Sequence, residues 1–181
     1  MSGDGFGVVG DEVVHRGRIL TLVHRRVHDP EGQVHDRDVV HHPGAVAVVP
    51  VVDGEVVLVR QYRAALDADL LEIPAGLRDV AGEDPAVTAH RELAEEVGLA
   101  TDELEHLVTF HNSPGFSDEQ VIVYLATDLR PVPDERHGPE ERWMSIERIP
   151  VGEAVAMALD GRLSDVKTIV GLLVAARRHG W

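Results

Sequence analysis

Four glutamates crowd the middle of this chain. Glu92, Glu95 and Glu96 are spaced i, i+3 and i+4, and Glu83 lies just upstream. On a helix the first three would share an arc about 100° wide. Carboxylates held so close repel, by roughly a few tenths of a kcal/mol per pair on an isolated helix. Two readings account for the pattern. One is a solvated acidic face that Arg91 partly relieves. The other is a set of oxygen ligands for a hard divalent cation, Mg²⁺ or Mn²⁺. The segment Pro74-Ala75-Gly76 precedes the cluster, and its carbonyls can face inward, which favours the second reading. A local rule broken on a helix surface often marks function.

The helix that must position these groups has clear ends. Asp84 suits the N-cap and Pro85 the first helical position. Gly98 is a good C-terminal stop. Ala86, Ala89, Leu93 and Val97 recur at helical spacing and give one face to a core. Glu92 and Glu96 are expected to point off that face, so the fold should not need them.

At these residues the chain resembles the Nudix hydrolases. Their box reads Gly-x5-Glu-x7-Arg-Glu-U-x-Glu-Glu-x-Gly-U, with U a bulky aliphatic. From Glu83 to Leu99 the match is complete. Six residues rather than five separate Gly76 from Glu83, and the extra one lies in the loop, so the helix register is untouched. The resemblance implies an α/β/α sandwich with a mixed sheet. It also implies Mg²⁺-dependent hydrolysis of a nucleoside diphosphate linked to another moiety. Glu92 and Glu96 are then the leading metal ligands, followed by Glu95 and the carbonyl of Ala75. Arg91 would orient the glutamates by salt bridges.

The flanks extend the resemblance to the ADP-ribose pyrophosphatase branch. Arg60-Gln61-Tyr62-Arg63 ends a Val-rich strand, and its two guanidinium groups are expected on one side. They are either an exposed edge or phosphate binders. Arg63 and Glu72 match cleft-lining residues of that branch. A proline about fifteen residues past the box goes with ADP-ribose specificity there, and Pro114 occupies that place. Gly115, Phe116, Ser117 and Asp118 continue the likeness. The match covers most of residues 44–178. By composition alone, 130–142 is a disordered acidic loop. In the resembling enzymes a loop here swings a glutamate over the metals. Ungapped alignment back from Ile149-Pro150 puts that glutamate at Glu141, with Glu140 second. Glu141 is therefore the expected general base, and Glu95 is the next choice.

The remaining sequence sets the frame. A length of 181 residues fits a domain at 43–181 preceded by a small extension at 1–42. The first ten residues read as a tail, and 13–28 and 33–40 as a β-hairpin around Asp29-Pro30-Glu31-Gly32. That hairpin is rich in histidine. His41 and His42, as strand neighbours, should point to opposite faces. The resemblance implies that the hairpin is shared between two subunits of a homodimer. Strands are expected at 44–51, 55–62, 103–111, 120–127 and 143–149. Helices are expected at about 151–160 and 165–178, the second capped by Ser164 or Asp165.

Hydrophobic residues make up 44%, enough for a core, and no cysteine offers a thiolate or disulfide. The net charge of −15 argues against a nucleic-acid partner. No leader and no long apolar span appear, so a cytoplasmic protein without membrane attachment is expected. The expected reaction is ADP-ribose plus water giving AMP and ribose 5-phosphate. GDP- or UDP-hexoses or NADH remain alternative substrates. A non-catalytic ADP-ribose-binding regulator is the alternative from another class, but the intact box glutamates and the short N-terminal segment speak against it.

Overall fold

The computed structural model describes residues 5–133 and 143–181. The chain forms two compact units. One holds the N-terminal residues through Gly44 together with His111–Gln120, and the other holds Ala45–Phe110 and Val121–Trp181.

The first unit is built on an antiparallel sheet of β1 (Gly7–Arg16), β2 (Thr21–His28) and β3 (Val34–His41), in that order. The expected hairpin is thus a three-stranded sheet. The span 13–28 breaks at Gly17, whose N–H donates to the carbonyl of Leu20 at 2.8 Å and reverses the chain. The expected tail from Gly7 onward belongs to β1, because pairing with β2 satisfies a backbone that composition left unassigned. Cross-strand ion pairs link the strands of this sheet. Arg25 grips Asp11 with two hydrogen bonds of 2.8 Å, and Val23 is the deeply buried aliphatic of β2.

Several histidines of this unit have an acidic neighbour. His24 contacts Asp38 at 2.7 Å and His35 contacts Asp29 at 2.9 Å. His41 Nδ1 lies 2.6 Å from Asp118, whose other oxygen accepts from the His42 backbone N–H at 2.8 Å. The Asp118 carboxylate raises the His41 pKa above its ordinary value. Residues 116–118 lie along the end of β3, with the Val40 N–H donating to the Phe116 carbonyl at 2.7 Å.

The second unit is a sandwich. Its sheet orders β12 (Ser145–Pro150), β5 (Glu55–Arg63), β4 (Ala45–Val52), β10 (Gln120–Ala126) and β9 (Glu105–His111). β4 and β10 run parallel, while β5 and β12 are antiparallel, so the sheet is mixed. Two short strands missing from the sequence reading, β6 (Ala68–Glu72) and β7 (Ala75–Leu77), pair with β5 and β4. A two-stranded ribbon of β8 (Leu99–Ala100) and β11 (Arg130–Pro131) stands apart.

Alternation along the strands explains the two layers. Ala47, Val49, Val56, Leu58, Val121 and Val123 face one core, closed by Val151 and Ala154 of α2 (Val151–Asp160) and Leu172 and Ala175 of α3 (Val166–His179). Val46, Val48, Val57 and Val59 face the other, closed by Ala89, Leu93 and Val97 of α1 (Pro85–Val97). A strand covered on both faces reads as an unbroken apolar run, as β4 does. Each fully buried side chain such as Leu93 stabilises the fold by about 1.5–3 kcal/mol. No helix among the described residues is long and apolar enough to cross a membrane.

Candidate active site

Helix α1 is held at both ends as its sequence suggests. The Asp84 carboxylate accepts from the Ala86 N–H at 2.9 Å, a cap worth about 1 kcal/mol. Gly98 takes the left-handed conformation, φ 63°, and its N–H bonds the carbonyl of Ala94. With Ala89, Leu93 and Val97 on the core, the next arc of the helix carries Glu92 and Glu96.

These two glutamates converge on β7. Glu96 is 5% exposed, and its Oε2 accepts the Ala75 N–H at 2.9 Å. Glu96 thus lies off the apolar face of α1 and is nonetheless buried, with the short strand β7 against it. The Glu92 carboxylate lies against Gly76. A Cβ built on Gly76 would come within 2.0 Å of Glu92 Cδ, so only a glycine leaves room for this carboxylate. A backbone amide and a side-chain vacancy on adjacent residues thus hold two carboxylates one turn apart.

Arg91 sits among the other acids. It donates to Glu92 at 2.8 Å and to Glu95 at 3.3 Å, and lies 4.0 Å from Glu83. Desolvation lowers its pKa, but the carboxylates of Glu92, Glu95, Glu83 and Asp79 outweigh it and leave the guanidinium more firmly charged. Glu83 is further tied by the Thr88 hydroxyl at 2.6 Å. Among the described residues no three His, Asp or Glu side chains form a group able to hold a metal by themselves. What the site offers is a pair of glutamates closing on one backbone segment. Its donors are all oxygen, which suits a hard divalent ion completed by backbone and substrate oxygens.

A cleft of about 380 Å³ opens over this corner. Glu92, Glu96, Arg91 and Asp79 line one part, Ala75–Leu77 another, and Gln61–Ala64 at the end of β5 the rest. Arg63 reaches it from β5, but Arg60 does not line it. The two are three positions apart, an odd spacing that sends strand side chains to opposite faces, so the expected shared face is corrected. Arg60 instead pairs with Glu147 of β12 at 2.6 Å.

Arg63 forms two hydrogen bonds to Glu72, at 2.7 and 2.6 Å. Glu72 is 0% exposed and so lies behind Arg63 rather than on the cleft wall. Burial raises its pKa, yet Arg63 and Lys167 more than offset this and keep it below the ordinary carboxylate value. Two residues here were missed in the sequence. Lys167 contacts Glu72 and had read only as a helix position. Gln61 lines the cleft with a buried Nε2 that has no hydrogen-bond partner among the described residues. Polar residues flanking Arg63 and following the Asp165 cap were the signals available.

The other expected site residues are placed as follows. Glu95 stays beside Arg91. Pro114, Gly115, Phe116, Ser117 and Asp118 belong to the first unit, where Asp118 is engaged by His41 and His42. Glu140 and Glu141 lie outside the described residues.

The NUDIX domain family matches residues 41–163, and the chain belongs to it. It is 44% identical over 176 residues to an ADP-ribose pyrophosphatase of Mycobacterium tuberculosis (strain ATCC 25618 / H37Rv), covering 96% of this chain and 84% of the relative. An ADP-ribose pyrophosphatase of Bacillus subtilis (strain 168) is 35% identical over 161 residues, covering 88% and 86%. In fold, the chain resembles the crystal structure of an ADP compounds hydrolase with a TM-score of 0.83 at 24% identity, over 96% of this chain and 93% of that one.

Proposed function

We propose that this protein hydrolyses the diphosphate bond of ADP-ribose to AMP and ribose 5-phosphate. The observation that carries the reading is the cleft itself. It sets two glutamates converging on Ala75 and Gly76 beside the guanidinium of Arg63. One part suits a divalent cation and the other a phosphate oxygen. The ADP-ribose pyrophosphatases at 44% and 35% identity support the choice of substrate.

The reaction is in-line attack of water on phosphorus. Glu92, Glu96, Glu95 and the carbonyl of Ala75 would hold Mg²⁺, and the ion would supply charge neutralisation of the diphosphate and a more acidic water. The chain's own groups do the rest. Arg91 braces Glu92 and Glu95. Arg63 orients the diphosphate. Pro114–Asp118 are assigned to substrate selection on the resemblance of that loop. A panel of ADP-ribose, GDP-mannose, UDP-glucose and NADH with Mg²⁺, read by nucleoside monophosphate formation, tests the substrate. Turnover of none of them would replace the enzyme with a binding protein.

Glu141 is assigned as the base that takes the proton from water, since metal-bound carboxylates are poor bases. Glu141→Gln is expected to lower kcat about 10²-fold with KM nearly unchanged. A large loss in Glu140→Gln alone would shift the assignment by one residue.

We also propose a two-fold dimer through the N-terminal sheet. Val8, Val9, Val13 and Val14 are exposed on it, and Ile19 and Leu20 are exposed in the turn that joins β1 to β2, an apolar surface that a second copy can cover. Light scattering at micromolar concentration should give twice the 19.8 kDa chain mass. A fully active monomer would sink this proposal.

A further inference from the structure

We infer that Lys167 is a positioning residue: it is the permanent counter-ion of buried Glu72 and so leaves Arg63 able to turn to a substrate anion. This rests on reading the cleft as a diphosphate site.

Among the described residues Glu72 has two cationic partners of different character. Arg63 binds both of its oxygens, yet the Arg63 side chain is 43% exposed and lines the cleft. Lys167 is 9% exposed, contacts Glu72 Oε2, and does not line the cleft. Lys167 is also fixed in place. Its Nζ donates to Asp165 Oδ1 at 2.9 Å, and the other oxygen of Asp165 accepts the Thr168 N–H at 2.9 Å. The Thr168 hydroxyl in turn accepts the Ile73 N–H at 2.8 Å, which ties the start of α3 to the residue after Glu72.

The four charges balance, with Glu72 and Asp165 against Arg63 and Lys167. Removing the only partner of a buried carboxylate is strongly unfavourable. With Arg63 as sole partner, Glu72 would hold the guanidinium fast and a diphosphate would compete poorly for it. With Lys167 in place, Arg63 can be drawn into the cleft while Glu72 stays paired. Lysine suits this task because its compact ammonium needs no planar match and can serve Glu72 and Asp165 together.

The test is a double-mutant cycle in the full chain with ADP-ribose and Mg²⁺. Lys167→Met is expected to raise KM about tenfold with kcat within about threefold, the pattern of lost uniform binding. Lys167→Arg should restore KM to within about threefold of the parent. Added to Arg63→Met, Lys167→Met should raise KM by less than about threefold more, since the locked guanidinium is already gone. Effects that multiply, that fall on kcat and KM alike, or that Lys167→Arg fails to rescue would overturn the inference. Should Lys167→Met not fold, Glu72→Gln/Lys167→Met removes the charge that demanded a partner. It should fold with KM near the parent value, and a tenfold rise there also overturns the inference. If the parent protein turns over no nucleoside diphosphate, the functional reading fails on its own. The same cycle is then read from the Kd of inorganic pyrophosphate, where the same non-additivity is required. Equal pyrophosphate affinity in the parent and Arg63→Met overturns the role of Lys167 as well.

Discussion

Glutamine at Glu92 or Glu96 is expected to lower Mg²⁺-dependent turnover by about two to three orders of magnitude, the scale of one lost electrostatic stabiliser at a reacting centre. Glutamine keeps the length and one acceptor oxygen but removes the charge a cation needs. The structure makes the two variants differ in their demands on the fold. Glu92 borders the cleft against Gly76, and its loss leaves Arg91 with Glu95. Glu96 is buried and accepts the Ala75 N–H, a bond that a glutamine oxygen can keep. Both glutamine variants should therefore melt within a few degrees of the parent. Glu96→Ala, by contrast, strands the Ala75 N–H at a cost of about 1–3 kcal/mol. Turnover measured beside thermal melts separates the two effects. Near-normal activity in both glutamine variants would remove the assigned site.

Where local chemistry decides structure, the sequence was readable. Asp84, Pro85 and Gly98 stand at the ends of α1, and Asp165 caps α3. The apolar runs at β4, β5 and β10 lie where both sheet faces are covered. The box glutamates were legible through the resemblance of Glu83–Leu99 to the Nudix box, since their crowding alone also fits a solvated acidic face. Long-range pairing was harder to see. β1 begins in a glycine-rich stretch and owes its strand state to its partner β2. β6 and β7 are short and exist on the edges that β5 and β4 offer. Because β7 was unseen, the burial of Glu96 was not legible either. Lys167 is 95 positions from Glu72, a contact that no local pattern announces. The shared face of Arg60 and Arg63 failed on a simpler ground, since odd spacing on a strand separates side chains.

Gly76→Ala should be nearly as damaging to turnover as Glu92→Gln, while leaving stability almost intact. Gly76 lies in β7 opposite Val46 of β4, and its φ is not in the left-handed region that only glycine favours. Alanine is thus acceptable to the backbone there. The obstacle is space, because the added methyl would lie 2.0 to 2.4 Å from Cδ and both oxygens of Glu92. These atoms end a flexible side chain at the cleft, so Glu92 can rotate away at little cost in folding free energy. What it cannot keep is its place beside Glu96 and Arg91. The expected result is a fall in kcat of about 10²-fold or more with a melting temperature close to the parent. A second substitution makes the cause explicit. In a Glu92→Gln background, Gly76→Ala should add little, because the carboxylate it displaces has already lost its charge. Independent losses that multiply across the pair would mean that Gly76 acts on the backbone of β7 and not through Glu92. A Gly76→Ala protein with full activity would mean that the Glu92 carboxylate need not occupy this cradle at all.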